Sequence, residues 1–175
     1  IINTTKKVNK SLQKNIIRDS FKTRFHTINF VKHNKPIAQH TKKGSEIFLF
    51  LPDEEDLTTK ENQDRIKQFI ISILRFEAKK YLPERTKLLA EKYGFNYNRL
   101  FIKNLKSRWG SCSGKNNINL NLHLMRLPEH LSDFIILHEL CHTIHKNHGE
   151  KFHELLNQLV GNEKQLNKEL KNYTT

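Results

Sequence analysis

Four side chains between positions 138 and 148 have the types and spacing of a hydrolytic metal centre. His138 and His142 stand four apart in Phe134-Ile-Ile-Leu-His-Glu-Leu-Cys-His142. On a helix that spacing leaves two rings about 40° apart and about 6 Å along the axis, so both reach one cation from the same face. Glu139 follows about 100° round from His138, close enough to reach a water beside the cation without entering its coordination shell, which is the place of a general base. Catalytic zinc takes three protein ligands and leaves one position open. His148, in Asn147-His-Gly149, is read as the third, delivered from beyond a turn that Asn147 and Gly149 supply. His145 is a rival: an unbroken helix returns it to within about 20° of His138, although about 10 Å along the axis strains a tetrahedral shell. His153 is a weaker rival, better suited to the surface or to a place behind the ligands, and His123 and His130 read as ordinary polar residues.

A second chemistry competes. Gly110-Ser-Cys-Ser-Gly114 has the form of a nucleophile elbow centred on Cys112, which would make a thiol hydrolase with a nearby histidine as base. Such an elbow needs strand, sharp turn, then helix; the residues after Gly114 alternate as a strand, and no repeated β-α pattern surrounds them. Cys112 is therefore read as a packed side chain, and so is Cys141, at the edge of the apolar arc of the metal helix.

These residues need elements to hold them. Pro128 suits the first turn of a helix running through His138 to about His145, with Ile136, Leu137, Leu140 and Ile144 forming the buried arc and the histidines facing a cleft. Gly149 separates it from a final helical stretch. Upstream, Ile66, Phe69, Ile70, Ile73, Leu74 and Ala78 give a helical stripe from about Thr59 to Leu82, stopped by Pro83, and a second helix spans Glu84 to Tyr93, closed by Gly94. Phe25 to Val31 and Glu46 to Leu51 read as strands, with turn residues at Asn34-Lys35-Pro36 and Lys42-Lys43-Gly44, predicting an antiparallel meander. Arg99 to Lys106 and Asn116 to Asn121 are further strands around a turn at Trp109 to Gly114. The class is α+β, a small single domain with N-terminal antiparallel strands and an active-site helix carrying the His-Glu-x-x-His pattern.

Composition narrows the setting. The chain has 175 residues, enough for one core, and a formal net charge of +13. Its mean hydropathy of -0.70 and the lack of a long apolar run exclude an integral membrane protein. Two cysteines exclude a disulfide-rich scaffold and favour a reducing cytoplasm. The first residues lack the apolar core of a signal peptide, and the chain opens without Met, as a sequence whose true start lies upstream would. The charge is uneven: residues 1–45 carry eleven Lys and Arg against Asp19 alone, whereas the remainder is nearly balanced. Residues 1–20 are read as a basic N-terminal segment and 21–175 as the catalytic domain, with residues 1–45 the candidate contact for nucleic acid or another polyanion.

The motifs together resemble the YgjP-like metallopeptidases, a zincin family of predicted metal-dependent hydrolases related to the SprT-like proteases. The resemblance runs through Tyr81-Leu-Pro-Glu-Arg85, Ser107-Arg-Trp-Gly-Ser-Cys-Ser113, Ile118-Asn-Leu-Asn121, Leu127-Pro128, Asp133, His138-Glu-Leu-Cys-His142, Asn147-His-Gly149 and Phe152, over roughly Arg24 to Val160. It implies a small zincin fold in which His138, His142 and His148 bind Zn2+ and Glu139 activates water, and it favours His148 over His145. Two places depart from the family pattern: His153 stands where Trp is common, and Leu122-His123 where Trp-Arg is common. Arg108 and Trp109 are expected near the site, the Arg to orient a carbonyl or carboxylate or to cover a buried Trp. The reading is a zinc-dependent hydrolase of the metallopeptidase type acting on a peptide or protein, with Glu139 as general base. Its alternatives are a zinc-stabilised nucleic-acid-binding module and the Cys112 thiol hydrolase.

Overall fold

The apolar run Glu46 to Pro52 becomes β4, and its buried Ile47, Leu49 and Leu51 set the order of the first sheet. The computed structural model describes residues 19–35 and 37–174, so the basic N-terminal segment, apart from Asp19 and Ser20, lies outside the described residues. Two compact units are formed, one ending at Glu77 and the other beginning at Ala78.

In the first unit, β1 (Ser20–Lys22), β2 (Thr27–His33), β3 (Gln39–Lys43) and β4 (Glu46–Pro52) make a sheet of order β1-β2-β4-β3. The expected meander is corrected here: β2 and β4 pair in parallel, Ile28 opposite Ile47, and only the two outer pairs are antiparallel. Polarity explains the order. Gln39–Lys43 is exposed at every position, so it serves as an edge, whereas β4 buries its alternate residues and takes the interior. The β3-β4 connection turns at Gly44, whose φ of 62° favours glycine. Lys32, one of the basic front's residues, is used internally: its ammonium donates to the carbonyls of Pro52, Asp53 and Glu55. Glu77 is buried and accepts from Thr23 Oγ1 at 2.5 Å and His26 Nδ1 at 2.6 Å, which fastens the β1-β2 loop to the helix.

Pro83 does not end the helix. α1 runs unbroken over Lys60–Tyr93, correcting the expectation of two helices. The proline forfeits one bond to the Lys79 carbonyl, but Leu74, Ala78, Leu82, Thr86, Leu89 and Ala90 continue a single buried stripe past it, and that burial outweighs the lost bond. Gly94, at φ 74°, closes the helix as Phe95 N–H reaches back to the Ala90 carbonyl at 2.9 Å.

The second unit holds a sheet of order β5-β7-β6, from β5 (Arg99–Lys103), β6 (Gly110–Cys112) and β7 (Asn117–Asn121). β5 is shorter than expected, and Gly110–Cys112, expected within a turn, is an antiparallel partner of β7. The turn instead occupies Ser113 to Asn116. After β7 come a short 3-10 turn (Leu122–Arg126), α2 (Glu129–Cys141), α3 (Glu150–Val160) and α4 (Glu163–Leu170). α2 is apolar almost all round and buried on most sides. It stops at Cys141 rather than near His145. The following residues tighten into a turn, with Ile144 and His145 N–H both on the Cys141 carbonyl and Thr143 Oγ1 on the Leu140 carbonyl. Ile144 therefore leaves the expected buried arc and is 57% exposed. Among the described residues no helix is long and apolar enough to cross a membrane.

Candidate metal centre

His138 and His142 project from the end of α2, and the early stop of that helix lets the chain double back so that His148 arrives from a loop. His148 Nε2 lies 3.0 Å from His142 Nε2 and 3.1 Å from His138 Nε2. Three imidazole nitrogens cannot all satisfy one another at such a meeting point. A cation between them would, because metal–nitrogen bonds of about 2.0–2.1 Å place neighbouring tetrahedral ligands about 3.3 Å apart. His142 Nδ1–H donates to the His145 carbonyl at 3.0 Å, which leaves the Nε2 lone pair facing the cluster. Burial first, and the neighbouring histidines after it, push His138 down to about 3. Burial also lowers His142. Both shifts favour the neutral ring, the form able to ligate a metal. Among the described residues this trio is the group of donors placed to hold a metal ion; His145 contributes its backbone carbonyl, not its ring.

Phe152 is the floor beneath the three. It is fully buried, lies face to face with His142 at 4.5 Å between ring centroids and meets His138 and His148 edge-on at 4.9 and 4.8 Å. His153 stands to one side, stacked on His148 at 6.3 Å, with Nδ1 held by the buried Glu163 carboxylate at 2.8 and 3.0 Å. His123 sits beside Arg126, and His130 reaches Glu169 at 2.9 Å.

Glu139 is 5% exposed, and its Oε2 has no hydrogen-bond partner. Burial pushes its carboxyl up to about 8, with Arg108 pulling the other way, so the group holds a proton more tightly than a carboxyl in water. Its side chain occupies the space above Gly110, where a Cβ would come within 2.7 Å of Oε1 and 2.8 Å of Cγ. The glycine of the Trp109-Gly-Ser-Cys112 stretch is thereby explained by contact with Glu139 rather than by a turn.

The loop before β6 is held by Asn121, a residue to which the sequence reading assigned no role. Wholly buried, it donates from Nδ2 to the carbonyls of Leu105 and Arg108, both at 2.8 Å, while its own N–H bonds the Trp109 carbonyl at 2.9 Å. The Ile118-Asn-Leu-Asn121 alternation carries no signal for it, because Asn121 falls with Asn119 in the polar half and only the fold buries it. Arg108 is exposed and Trp109 half-buried. Cys112 lies within β6, the chain after its turn continues into β7, and burial raises its thiol; no helix start is there to activate it. Cys141 is buried and pushed up to about 12.

A helical carboxylate beside three convergent imidazoles on an α+β scaffold defines a metal-dependent hydrolase. The family model for the YgjP-like metallopeptidase domain matches residues 1–173, and the chain belongs to that family. As a metallopeptidase it requires a metal cofactor and acts on peptides or proteins. No curated protein matches the sequence. Among solved structures, the metallopeptidase zymogen jannalysin of Methanocaldococcus jannaschii is 28% identical over 51% of this chain and 88% of its own, with a TM-score of 0.43.

Proposed function

We propose that the chain is a zinc-dependent metallopeptidase in which His138, His142 and His148 hold the metal through Nε2 and Glu139 is the general base. The observation that carries this reading is the convergence of the three Nε2 atoms beside a buried carboxylate whose Oε2 has no partner. Zinc held by three neutral histidines supplies Lewis acidity, which acidifies water towards neutral pH and polarises a carbonyl. Glu139 Oε2 takes a proton from the attacking water and hands it to the amine of the departing peptide. Gly110 leaves the room in which that carboxylate sits, and Phe152 holds the three rings from below.

Glu139→Gln separates binding from chemistry. The variant is expected to retain zinc, measured by elemental mass spectrometry, and to lose at least about 1000-fold in peptide hydrolysis; wild-type turnover by Glu139→Gln would remove Glu139 from the mechanism. His148→Ala is expected to weaken zinc far more than His145→Ala, and equal losses would reassign the third ligand.

A further inference from the structure

His148 is the most exposed of the three histidines and, unlike the other two, is carried by a loop rather than a helix end. The near half of that loop is fixed to α2 by the His142 Nδ1–His145 carbonyl bond and by His145 N–H on the Cys141 carbonyl. The far half, which delivers His148, is held at Lys146, whose ammonium donates to Asn116 Oδ1 in the β6-β7 turn.

That turn is a firm anchor. Asn116 N–H bonds the Ser113 carbonyl at 2.9 Å, Asn98 N–H bonds the Asn116 carbonyl at 2.8 Å, and Asn117 N–H takes Ser113 Oγ at 3.1 Å. Asn116 has a φ of 57°, the single positive value at a non-glycine among the described residues. Asn tolerates that conformation far better than most side chains, so the position combines an unusual backbone with an acceptor aimed at the ligand loop. The hairpin that ends in this turn begins at Gly110, against Glu139. One β-hairpin thus touches the base at one end and the loop of the third ligand at the other. Electrostatics make the placement of Lys146 notable, because its ammonium lies near enough to His142 and Cys112 to act on both. A cation placed there by chance works against metal binding. A cation that tethers the loop has a reason to be there.

We propose that Asn116 is a positioning residue for the metal centre: by holding Lys146 it fixes the loop that presents His148 to His138 and His142. This rests on the assignment of His148 as a metal ligand made above.

The test titrates zinc into metal-stripped full-length protein against a chromophoric chelator, with melting of the metal-free protein as the control for folding. Asn116→Gly keeps the backbone conformation and removes the acceptor; it is expected to weaken zinc about 10-fold, the scale on which supports of metal ligands act. Asn116→Asp keeps both conformation and acceptor and is expected to bind within about 3-fold of wild type. In a Lys146→Leu background Asn116→Gly should have no further effect. Wild-type affinity in Asn116→Gly, or the same loss with Lys146 already gone, would overturn the tether. Should Asn116→Gly not fold, Lys146→Arg against Lys146→Leu decides: weaker zinc in the leucine variant, despite its lost repulsion, supports the tether, and equal or tighter binding overturns it. His148→Ala distinguishes the two levels, since unchanged zinc affinity there would overturn the ligand assignment itself, and the tether with it.

Discussion

Glu139 is positioned as much by an absent side chain as by its own helix. A methyl group at position 110 would overlap its Oε1 and Cγ, and β6 is paired to β7 at Gly110, so the carboxylate rather than the strand must give way. Gly110→Ala is therefore expected to lower kcat about 100-fold with zinc content unchanged, the cost of displacing a reacting group by about 1 Å; metal analysis beside steady-state kinetics checks it. Phe152 acts on the other side of the cluster. Phe152→Leu keeps an apolar residue but loses the flat surface that lies against His142, and we expect zinc affinity to fall about 10-fold with a stability loss near 1 kcal/mol. Calorimetric zinc titration and urea unfolding read the two effects separately.

At the scale of elements, α1 is a helix with a built-in defect. Pro83 interrupts its ladder within a buried stripe, and Pro83→Ala restores an N–H for the Lys79 carbonyl. We expect it to raise stability by about 1–3 kcal/mol, given the cost of proline in helix interiors; a lower urea midpoint would mean that the packing around the helix requires the proline. Two residues further along, Arg85 joins α1 to α2 through a two-pronged contact with Asp133, Nε to Oδ1 at 2.8 Å and the second nitrogen to Oδ2 at 2.5 Å. Both belong to the residues that carry the family resemblance, and the pair lies one turn and more before His138. Asp133→Asn leaves the guanidinium with Glu129, at 3.1 Å, as its remaining carboxylate and is expected to cost about 2 kcal/mol, measured by the same unfolding experiment.

At the scale of the molecule, acid and metal should act in opposite directions. Burial, helped by Arg126, pushes His123 down to about 4, against about 6.5 in an unfolded chain. Between those values the unfolded chain binds the proton first, so the stability associated with a neutral His123 is complete above pH 6.5 and is lost as pH falls towards 4. His123→Gln should flatten the dependence of the urea midpoint on pH within that window; a slope equal to that of wild type would remove His123 as its source. In the proposed site zinc binds only the folded arrangement of three histidines drawn from two segments, so saturation at about 100 times its Kd should stabilise the fold by about 2.7 kcal/mol. Chelation should lower the melting temperature, and His138→Ala should abolish that difference.

The helix that brings His138, Glu139 and His142 together was legible because its information is local. His138, Glu139 and His142 lie within one and a half turns, and helical geometry alone puts them near one another. The placing of Gly149 as the break before the next helix was likewise readable from residue type. Tertiary structure decided the rest, where distant groups competed. The parallel pairing of β2 with β4 follows from which strand could tolerate an exposed edge, a comparison between segments rather than a property of either. Pro83 could be passed because burial beyond it outweighs one missing hydrogen bond. The early end of α2, which lets His148 reach His142 and His138, depends on side-chain bonds to carbonyls across a turn. Gly110 against Glu139 and Asn116 against Lys146 join residues about thirty positions apart. Sequence by itself determined which groups are the candidates for the chemistry; only the folded chain determined how they are held, because contacts between distant segments leave no period along the sequence.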